Sequence, residues 1–487
     1  MLDKNHVCNI WETRFFMRIV PIILAGGAGT RLWPVSRKAL PKQFVPLIEG
    51  QTPFQQSILR VQGDRFTKPL IVTSDNYRFL VLEQINAVGC DADIIIEPEG
   101  KNTAPAILAA ALVAQKSDND AMLLAMPADH HIPDAVSFAE TIAEGLAVAN
   151  NGGVVTFGVK PSRVETGYGY IEAVIDEGKT CRPVRGFHEK PNHSRAQEMV
   201  ASGLYSWNTG IFLFKAATIL GLAQRFQAVM LSVVGKAVAD GYVDLEYFRI
   251  SEAPWASVNA ESIDYAIMEK ADNIYCVDFH PEWSDLGDWR AIADLTTQDS
   301  DNNSYTQNTT GVDCKNTMLW SSAERLRLAG LGLENIVAVA TDDAVLVANA
   351  DRLQDVRKIV TNLELQGVPE ATQHLKDYRP WGWFESLVLM PNYQVKRLQV
   401  YPKASLSLQS HKYRSEHWVV VSGRATVCRD EDMFVLNFNE SVYIKAGQKH
   451  RLVNETDEPL TLIEVQTGSY LGEDDIVRYE DIYHRCV

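Results

Sequence analysis

The pattern of apolar runs changes once along this chain, and that change limits what the chain can fold into. From Met17 to about Leu295 short apolar runs alternate with helix-forming stretches. "RIVPIIL" (18–24), "KPLIVTS" (68–74), "ADIIIEP" (92–98), "AMLLAMP" (121–127) and "GVVTFGV" (153–159) read as buried strands. "NTAPAILAAALVAQ" (102–115) reads as an alanine-rich helix with Asn102 as its N-cap. Pro21 belongs where a missing N–H does no harm, at a strand start. Such alternation predicts an α/β domain with a mostly parallel sheet, whose ligands gather outside the carboxyl ends of the strands. After about Tyr378 the pattern is all β, with short strands and turn signals such as "YQVKRLQVYP" and "HWVVVSGRATVC", which predicts a closed barrel or jelly roll. Between the two lie a polar stretch, "LTTQDSDNNSYTQNTTG" (295–311), and two β runs hinged at Asp342–Asp343 with a helix after them, a small β connecting module. The expected division is a disordered extension over 1–16, domains over 17–295 and 376–487, and a β-rich linker module over 296–375.

The formal net charge of −16 argues against general nucleic-acid or anionic-membrane binding, so a phosphate site here has to be a local basic pocket. No apolar run approaches the roughly 18 residues of a membrane span. Seven scattered cysteines without a C-x-x-C pair fit a reducing cytoplasm, not a disulfide framework or a cysteine zinc site. The N-terminal stretch lacks the continuous apolar core of a signal peptide, and Met17 stands directly before the first strand as an alternative start.

A glycine-rich loop follows the first strand: "IILAGGAGTRLWPVSRKALPKQF" (22–44). It lacks the lysine–hydroxyl pair of a P-loop. It also lacks the third glycine of a dinucleotide fingerprint, where Leu32 stands. The remaining readings are a nucleotidyltransferase loop, with amides holding a nucleotide and Arg31 reaching its triphosphate, and a plain strand-to-helix turn.

The stretch "LAGGAGTRLWPVSRKALPKQF" resembles the signature of sugar-nucleotide pyrophosphorylases, and its Trp-Pro-x-Ser-Arg and Pro-Lys-Gln-Phe portions resemble mannose-1-phosphate guanylyltransferases. "GKNTAPAI", "PADHHI", "ETGYGYIE", "FHEKP", "WNTGIF", "ESIDYAIME" and "WSDLGDW" follow in that family's order over nearly all of 17–295. The resemblance implies attack by the phosphate oxygen of mannose 1-phosphate on the α-phosphorus of GTP, with positioning and charge neutralisation as the catalytic devices. It implies a nucleotide site at Leu24, Ala25, Gly26, Gly27, Gly29, Thr30, Asn102 and Asp129, with Arg31 and Lys42 on the triphosphate. Asp129 and Asp285, at separate strand ends, suit Mg²⁺. Lys190 would hold the sugar 1-phosphate, and Gly169, Glu172, Glu189 and Asn208 the sugar. Arg37 and Lys38 are expected on a solvated surface, and His130 and His131 to be structural, since neighbours on an extended segment face opposite ways.

In the C-terminal part Gln409, His411 and Tyr413 alternate along one strand, Glu416 follows, and His450 comes from a later strand. Two histidines, a carboxylate and an amide converging in a barrel suit a divalent metal. The spacing resembles the two cupin motifs, with His411, Glu416 and Gly423 in one and Gly447, His450 and Asn454 in the other. "QSHKYRSEHW" is similar to the pattern of type II phosphomannose isomerases, a likeness that covers 376–487. It implies Zn²⁺ or Co²⁺ polarising a sugar carbonyl while a proton moves between neighbouring carbons. From Asn392 to Ser415 there are five Lys/Arg and no Asp/Glu, a fitting wall for a sugar 6-phosphate, with Arg414 first for that phosphate or the catalytic step. His417 is either an acid/base or packing beside Trp418. The family's run of three histidines is His411-Lys412-Tyr413 here, and Tyr413, inward by strand parity, would alter proton transfer.

The expectation is therefore a Rossmann-like nucleotidyltransferase domain, a β module and a cupin barrel. The chain would act as a cytoplasmic bifunctional enzyme on GTP, mannose 1-phosphate and mannose 6-phosphate, compatible with a homodimer. The rival is a guanylyltransferase whose barrel is a sugar-phosphate sensor or dimerisation module.

Overall fold

In the computed structural model, which describes residues 18–27, 29–48, 50–174, 178–323 and 326–483, the apolar runs form the expected strands. The expectations for residues 1–16 and Met17 lie outside the described residues. β1 (Ile19–Ala25), β2 (Leu70–Ser74), β3 (Asp93–Glu97) and β4 (Met122–Pro127) lie in the order β4-β1-β2-β3, all parallel. Their near-continuous apolar sequences match strands that helices cover on both faces. One covering helix is Thr103–Ser117, whose alanines are all buried; Asn102 caps it, its Oδ1 accepting from Thr103 N at 2.8 Å. Pro21 is the third residue of β1, not its start, but pairing with β2 begins only at Ile22. Beyond β4 the long strand Tyr205–Lys215 runs antiparallel and opens a mixed half that includes β5 (Val154–Val159), Tyr170–Ala173, Cys181–His188 and Ile274–Asp278. The parallel arrangement thus belongs to the half that carries the glycine loop.

The chain divides into two units that do not follow sequence order: Met1–Leu32 with Pro41–Ser304, and Trp33–Leu40 with Tyr305–Val487. In the second unit Met318–Ser321, Ile336–Ala340 and Val345–Asn349 pair side by side, with the predicted turn between the last two, and the helix Val356–Leu365 follows. Trp33–Leu40 packs within this unit. Arg37, expected on the surface, is fully buried. Its guanidinium forks onto Asp343 with two bonds of 2.6 Å and also donates to Gln373 O at 2.6 Å and Pro34 O at 2.8 Å. A buried guanidinium demands such a complete set of acceptors. Lys38 is exposed, as expected.

The C-terminal strands form two sheets around one core of Trp381, Leu398, Val400, Trp418, Val427, Leu452 and Leu462. Motif residues Gly423 and Asn454 shape its turns. At Gly423 (φ +81°) a Cβ would lie 2.9 Å from Pro459 O, and Asn454 Nδ2 donates to Val400 O, Tyr401 O and Glu458 O. Among the described residues no helix is long and apolar enough to cross a membrane.

Candidate active sites

The first site is built at the carboxyl ends of the parallel strands. After β1 the chain turns through Gly27 (φ 92°) and Gly29 (φ 55°), conformations a side chain would strain. The loop is braced from below: Ala128 N donates to Leu24 O, Thr73 Oγ1 to Ala25 O, and Gln43 Nε2 to Gly26 O and Gly27 O. Thr30 and Arg31 open a single helical turn, and the Arg31 guanidinium points toward Gly167, 3.9 Å from where a Cβ there would stand.

Lys42 ties this loop to both aspartates. Its Nζ lies 3.0 Å from Asp129 Oδ2 and donates to Asp285 O at 2.5 Å and Leu286 O at 3.3 Å. The loops of Asp129 and Asp285 are also joined by paired backbone bonds between His131 and Ser284, of 2.9 and 3.1 Å. Desolvation works against the charged form of Asp129, but Lys42 and His130 outweigh it and hold the carboxyl below its ordinary range. Asp285 Oδ1 accepts from Tyr168 Oη at 2.7 Å and from Gly287 N at 3.0 Å. Of the two histidine rings, His130 Nδ1 accepts from Trp283 while its Nε2 lies 3.8 Å from Asp129, and His131 Nδ1 meets Gln56.

A second cluster lies beside it. Asn208 N donates to Gly169 O at 2.8 Å, and a Cβ on Gly169 would stand 2.6 Å from Glu189 Oε2. Lys190 Nζ reaches Glu189 Oε1 at 2.5 Å. Glu172 accepts from Tyr205 Oη at 3.2 Å. Two carboxyl groups that the sequence reading did not single out complete the cluster. Asp264 Oδ1 accepts from Asn208 Nδ2 at 3.2 Å, and Glu269 Oε1 accepts from Glu189 N at 3.3 Å. Burial and the neighbouring Glu189 push Asp264 up to about 7. Both fall in the motif "ESIDYAIME", which was the available signal.

In the barrel, Leu408–His411, Arg414–Ser422 and His450–Val453 bring His411, Glu416 and His450 together, with one ligand atom of each within 4.8 Å of the others. His411 Nε2 is 2.9 Å and His450 Nε2 3.6 Å from the Glu416 carboxylate. Despite that proximity, neither nitrogen is aligned for a hydrogen bond, and both are buried without a partner. Orphaned buried nitrogens around a carboxylate fit a divalent cation. Gln409 pairs with His450 across the sheet and lines a cavity that Glu416 also lines, its Oε1 accepting from Ser407 at 2.9 Å. Around Glu416 stand Arg414 Nε at 3.3 Å, Trp418 Nε1 at 3.1 Å and Gln466 Nε2 at 3.2 Å. Burial opposes the Glu416 charge, but His411 and His450 hold it ionised; Glu464, buried next to Glu416, is pushed far up.

Two expectations need correction. Tyr413 does not point inward: the strand ends at His411, Lys412 and Tyr413 form a turn whose N–H groups donate to the Asp475 carboxylate, and the Tyr413 ring is exposed. Strand parity stops applying where the strand stops. His417 lies on the outer face, stacked on Tyr443 at 4.5 Å, because Glu416 and Trp418 on either side of it point inward. It is not in the cavity. Glu464, Gln466, Lys396 and Glu473, which line the cavity, were not singled out by the sequence; they sit on strands and turns far along the chain, and only Lys396 fell inside the basic stretch.

Comparison with known proteins finds relatives of both parts of the chain. Residues 20–302 match the family model for nucleotidyl transferase, 307–363 that for the MannoseP isomerase/GMP-like beta-helix domain, and 366–481 that for mannose-6-phosphate isomerase C-terminal. The chain is 45% identical over 468 residues to the xanthan biosynthesis protein XanB of Xanthomonas campestris pv. campestris, covering 96% of this chain and 99% of that protein. It is 39% identical over 479 residues to mannose-1-phosphate guanylyltransferase 2 of Escherichia coli O157:H7, covering 96% and 98%. The crystal structure of mannose-1-phosphate geranyltransferase from Thermus thermophilus superposes with a TM-score of 0.64 at 32% identity, covering 72% of this chain and all of that one (100%). With relatives this similar along nearly its whole length, the chain belongs to the family of mannose-1-phosphate guanylyltransferases in which a nucleotidyl transferase domain is followed by a mannose-6-phosphate isomerase C-terminal domain.

Proposed function

We propose that the first unit transfers GMP from GTP to mannose 1-phosphate, releasing pyrophosphate and supplying GDP-mannose for polysaccharide assembly. The observation that carries this reading is the cross-link from Lys42 to Asp129 and to the backbone at Asp285. It puts one cation and two carboxylate-bearing loops against the glycine loop. A phosphate monoester is already anionic near neutral pH, so the attacking oxygen needs no general base. The work left to the protein is alignment and charge neutralisation. The amides of Gly26, Gly27, Gly29 and Thr30 face the nucleotide, with Asn102 at the head of its helix. Arg31 and Lys42 neutralise the triphosphate. Asp129 and Asp285 would hold Mg²⁺, which takes few protein oxygens alongside phosphates and would supply further charge neutralisation. Lys190 meets the sugar 1-phosphate, and Glu189, Asn208 and Asp264 bond the sugar hydroxyls. Substituting Asp285→Asn is expected to abolish GDP-mannose formation from GTP and mannose 1-phosphate while sparing the barrel; unchanged synthesis would remove Asp285 from the site.

A second activity is favoured by the His411–Glu416–His450 group: interconversion of mannose 6-phosphate and fructose 6-phosphate. Gln409, His411, Glu416 and His450 would hold Zn²⁺ or Co²⁺, whose chemistry there would be polarisation of the sugar carbonyl. Arg414, buried against Glu416, orients that carboxylate and faces the cavity. Supplying mannose 6-phosphate with Zn²⁺, Co²⁺ or Mg²⁺ should yield fructose 6-phosphate. No turnover, with guanylyl transfer intact, would leave the barrel as a sugar-phosphate sensor or dimerisation module.

A further inference from the structure

One wall of the barrel cavity is cationic, and a carboxylate of the chain itself already sits against it. Lys396, on the strand Tyr393–Val400, is only 4% exposed and places Nζ 2.5 Å from Glu473 Oε1. Arg379 and Lys396 both lie over the Phe384 ring, at 5.2 and 4.5 Å. Arg414 Nη1 donates to Gly472 O, the residue before Glu473, at 2.9 Å. The protein packed around Glu473 opposes its charge even though the side chain is half exposed, but Lys396, Arg414 and Arg379 outweigh this and hold the carboxyl below its ordinary range. All four side chains line the same cavity as Gln409 and Glu416.

That cavity offers about 50 Å³, room for a few waters and not for a hexose phosphate. A short acidic turn, Glu473–Asp475, contributes Glu473 to its lining, and the turn is held unevenly. Its far end is pinned, because Asp475 accepts from both Lys412 N and Tyr413 N, at 3.0 and 3.1 Å. Its near end is held through the Glu473 side chain, 47% exposed at the rim, and through Gly472 O. A phosphate monoester carries nearly twice the charge of a carboxylate and three acceptor oxygens, so it competes well for three cations.

We propose that Arg379, Lys396 and Arg414 form the subsite for the phosphate of a sugar phosphate, and that Glu473 occupies it as an internal stand-in that the ligand displaces, swinging the turn at Gly472–Asp474 aside. The proposal rests on the isomerase reading for its substrate, but phosphate binding tests it without turnover.

The probe is inorganic phosphate, titrated into the full chain and two variants by calorimetry; sites in the first unit contribute equally to all three and cancel. Glu473→Gln removes the competitor's charge, and phosphate is expected to bind several-fold more tightly. Arg379→Gln removes one charge-assisted contact and should weaken binding roughly tenfold, with Arg379→Lys restoring most of it. Damage to the fold cannot produce opposite shifts in two variants. Binding to Glu473→Gln no tighter than to the parent, or unaltered binding to Arg379→Gln, would overturn the proposal. If the shifts appear and no fructose 6-phosphate is ever formed, the isomerase reading fails and the subsite stands.

Discussion

The two candidate sites hold their reactive groups in opposite ways. In the barrel, His411, Glu416 and His450 sit on strands, and the ladder register fixes where each side chain points. In the first unit, Lys42 starts a short 3-10 turn and Asp129 and Asp285 stand on loops, and polar cross-links join them: Lys42's bonds, the His131–Ser284 bridge and the Trp283–His130 bond. A strand-borne site is set by the core beneath it. A loop-borne site is set by its own polar cross-links, so a single side chain can be both reagent and scaffold.

The sharpest way to break this comparison is at the barrel. Glu416→Gln should strip the metal and lower isomerisation by about a thousandfold, beyond the 10- to 100-fold that an outer-shell partner costs. Metal content per chain, measured beside turnover, checks it, and guanylyl transfer should stay within about twofold. In the first unit Lys42→Met should lower guanylyl transfer by at least about a hundredfold, the scale of losing one fixed charge donor. Lys42→Arg should not restore it, because a guanidinium cannot reproduce one nitrogen bonded to Asp129 and two carbonyls. Full rescue by arginine would mean that charge alone matters and that the scaffold role is wrong.

The smallest effect separates two buried acids. Glu464 in the barrel shares bonds with Trp418 and Gln466, whereas Glu97, at the carboxyl end of β3, is buried with Oε1 unpartnered. Burial pushes Glu97 from its ordinary 4.5 up to about 8. The folded state then keeps a proton that the unfolded chain has released, so this group's contribution to stability is present below pH 4.5 and is lost as pH rises toward 8. Glu97→Gln should remove that loss. The melting temperature of the first unit in the variant should pull ahead of the parent between those pH values by a few degrees. Parallel melting curves across that range would show that Glu97 gains a partner not evident in the fold.

The strands, the change from α/β to all-β and the gathering of His411, Glu416 and His450 were legible because each depends on local spacing: apolar runs for the strands, H-x₄-E and G-x₂-H for the cluster. What escaped notice depends on contacts across the fold. Nothing near Arg37 reveals that its carboxylate partner is Asp343, and nothing near Lys396 points to Glu473. Tyr413 and His417 were assigned by strand alternation, which can tell faces apart but cannot say where a strand ends. Asp264 lay inside a quoted motif, yet only the packed structure places its carboxyl on Asn208.

The excursion of Trp33–Leu40 into the second unit has a consequence for dissecting the gene. Every partner described for this segment outside itself, from Asp343 to Gln373, with Glu370 O accepting from Trp33, is encoded after residue 304. A fragment ending there would still encode the glycine loop. Between Arg31 and Lys42, however, it would carry the Arg37 guanidinium without the Asp343 carboxylate and the Gln373 carbonyl that take its charge. Because the second unit takes in Trp33–Leu40 from within the first, no single stop codon separates the two units.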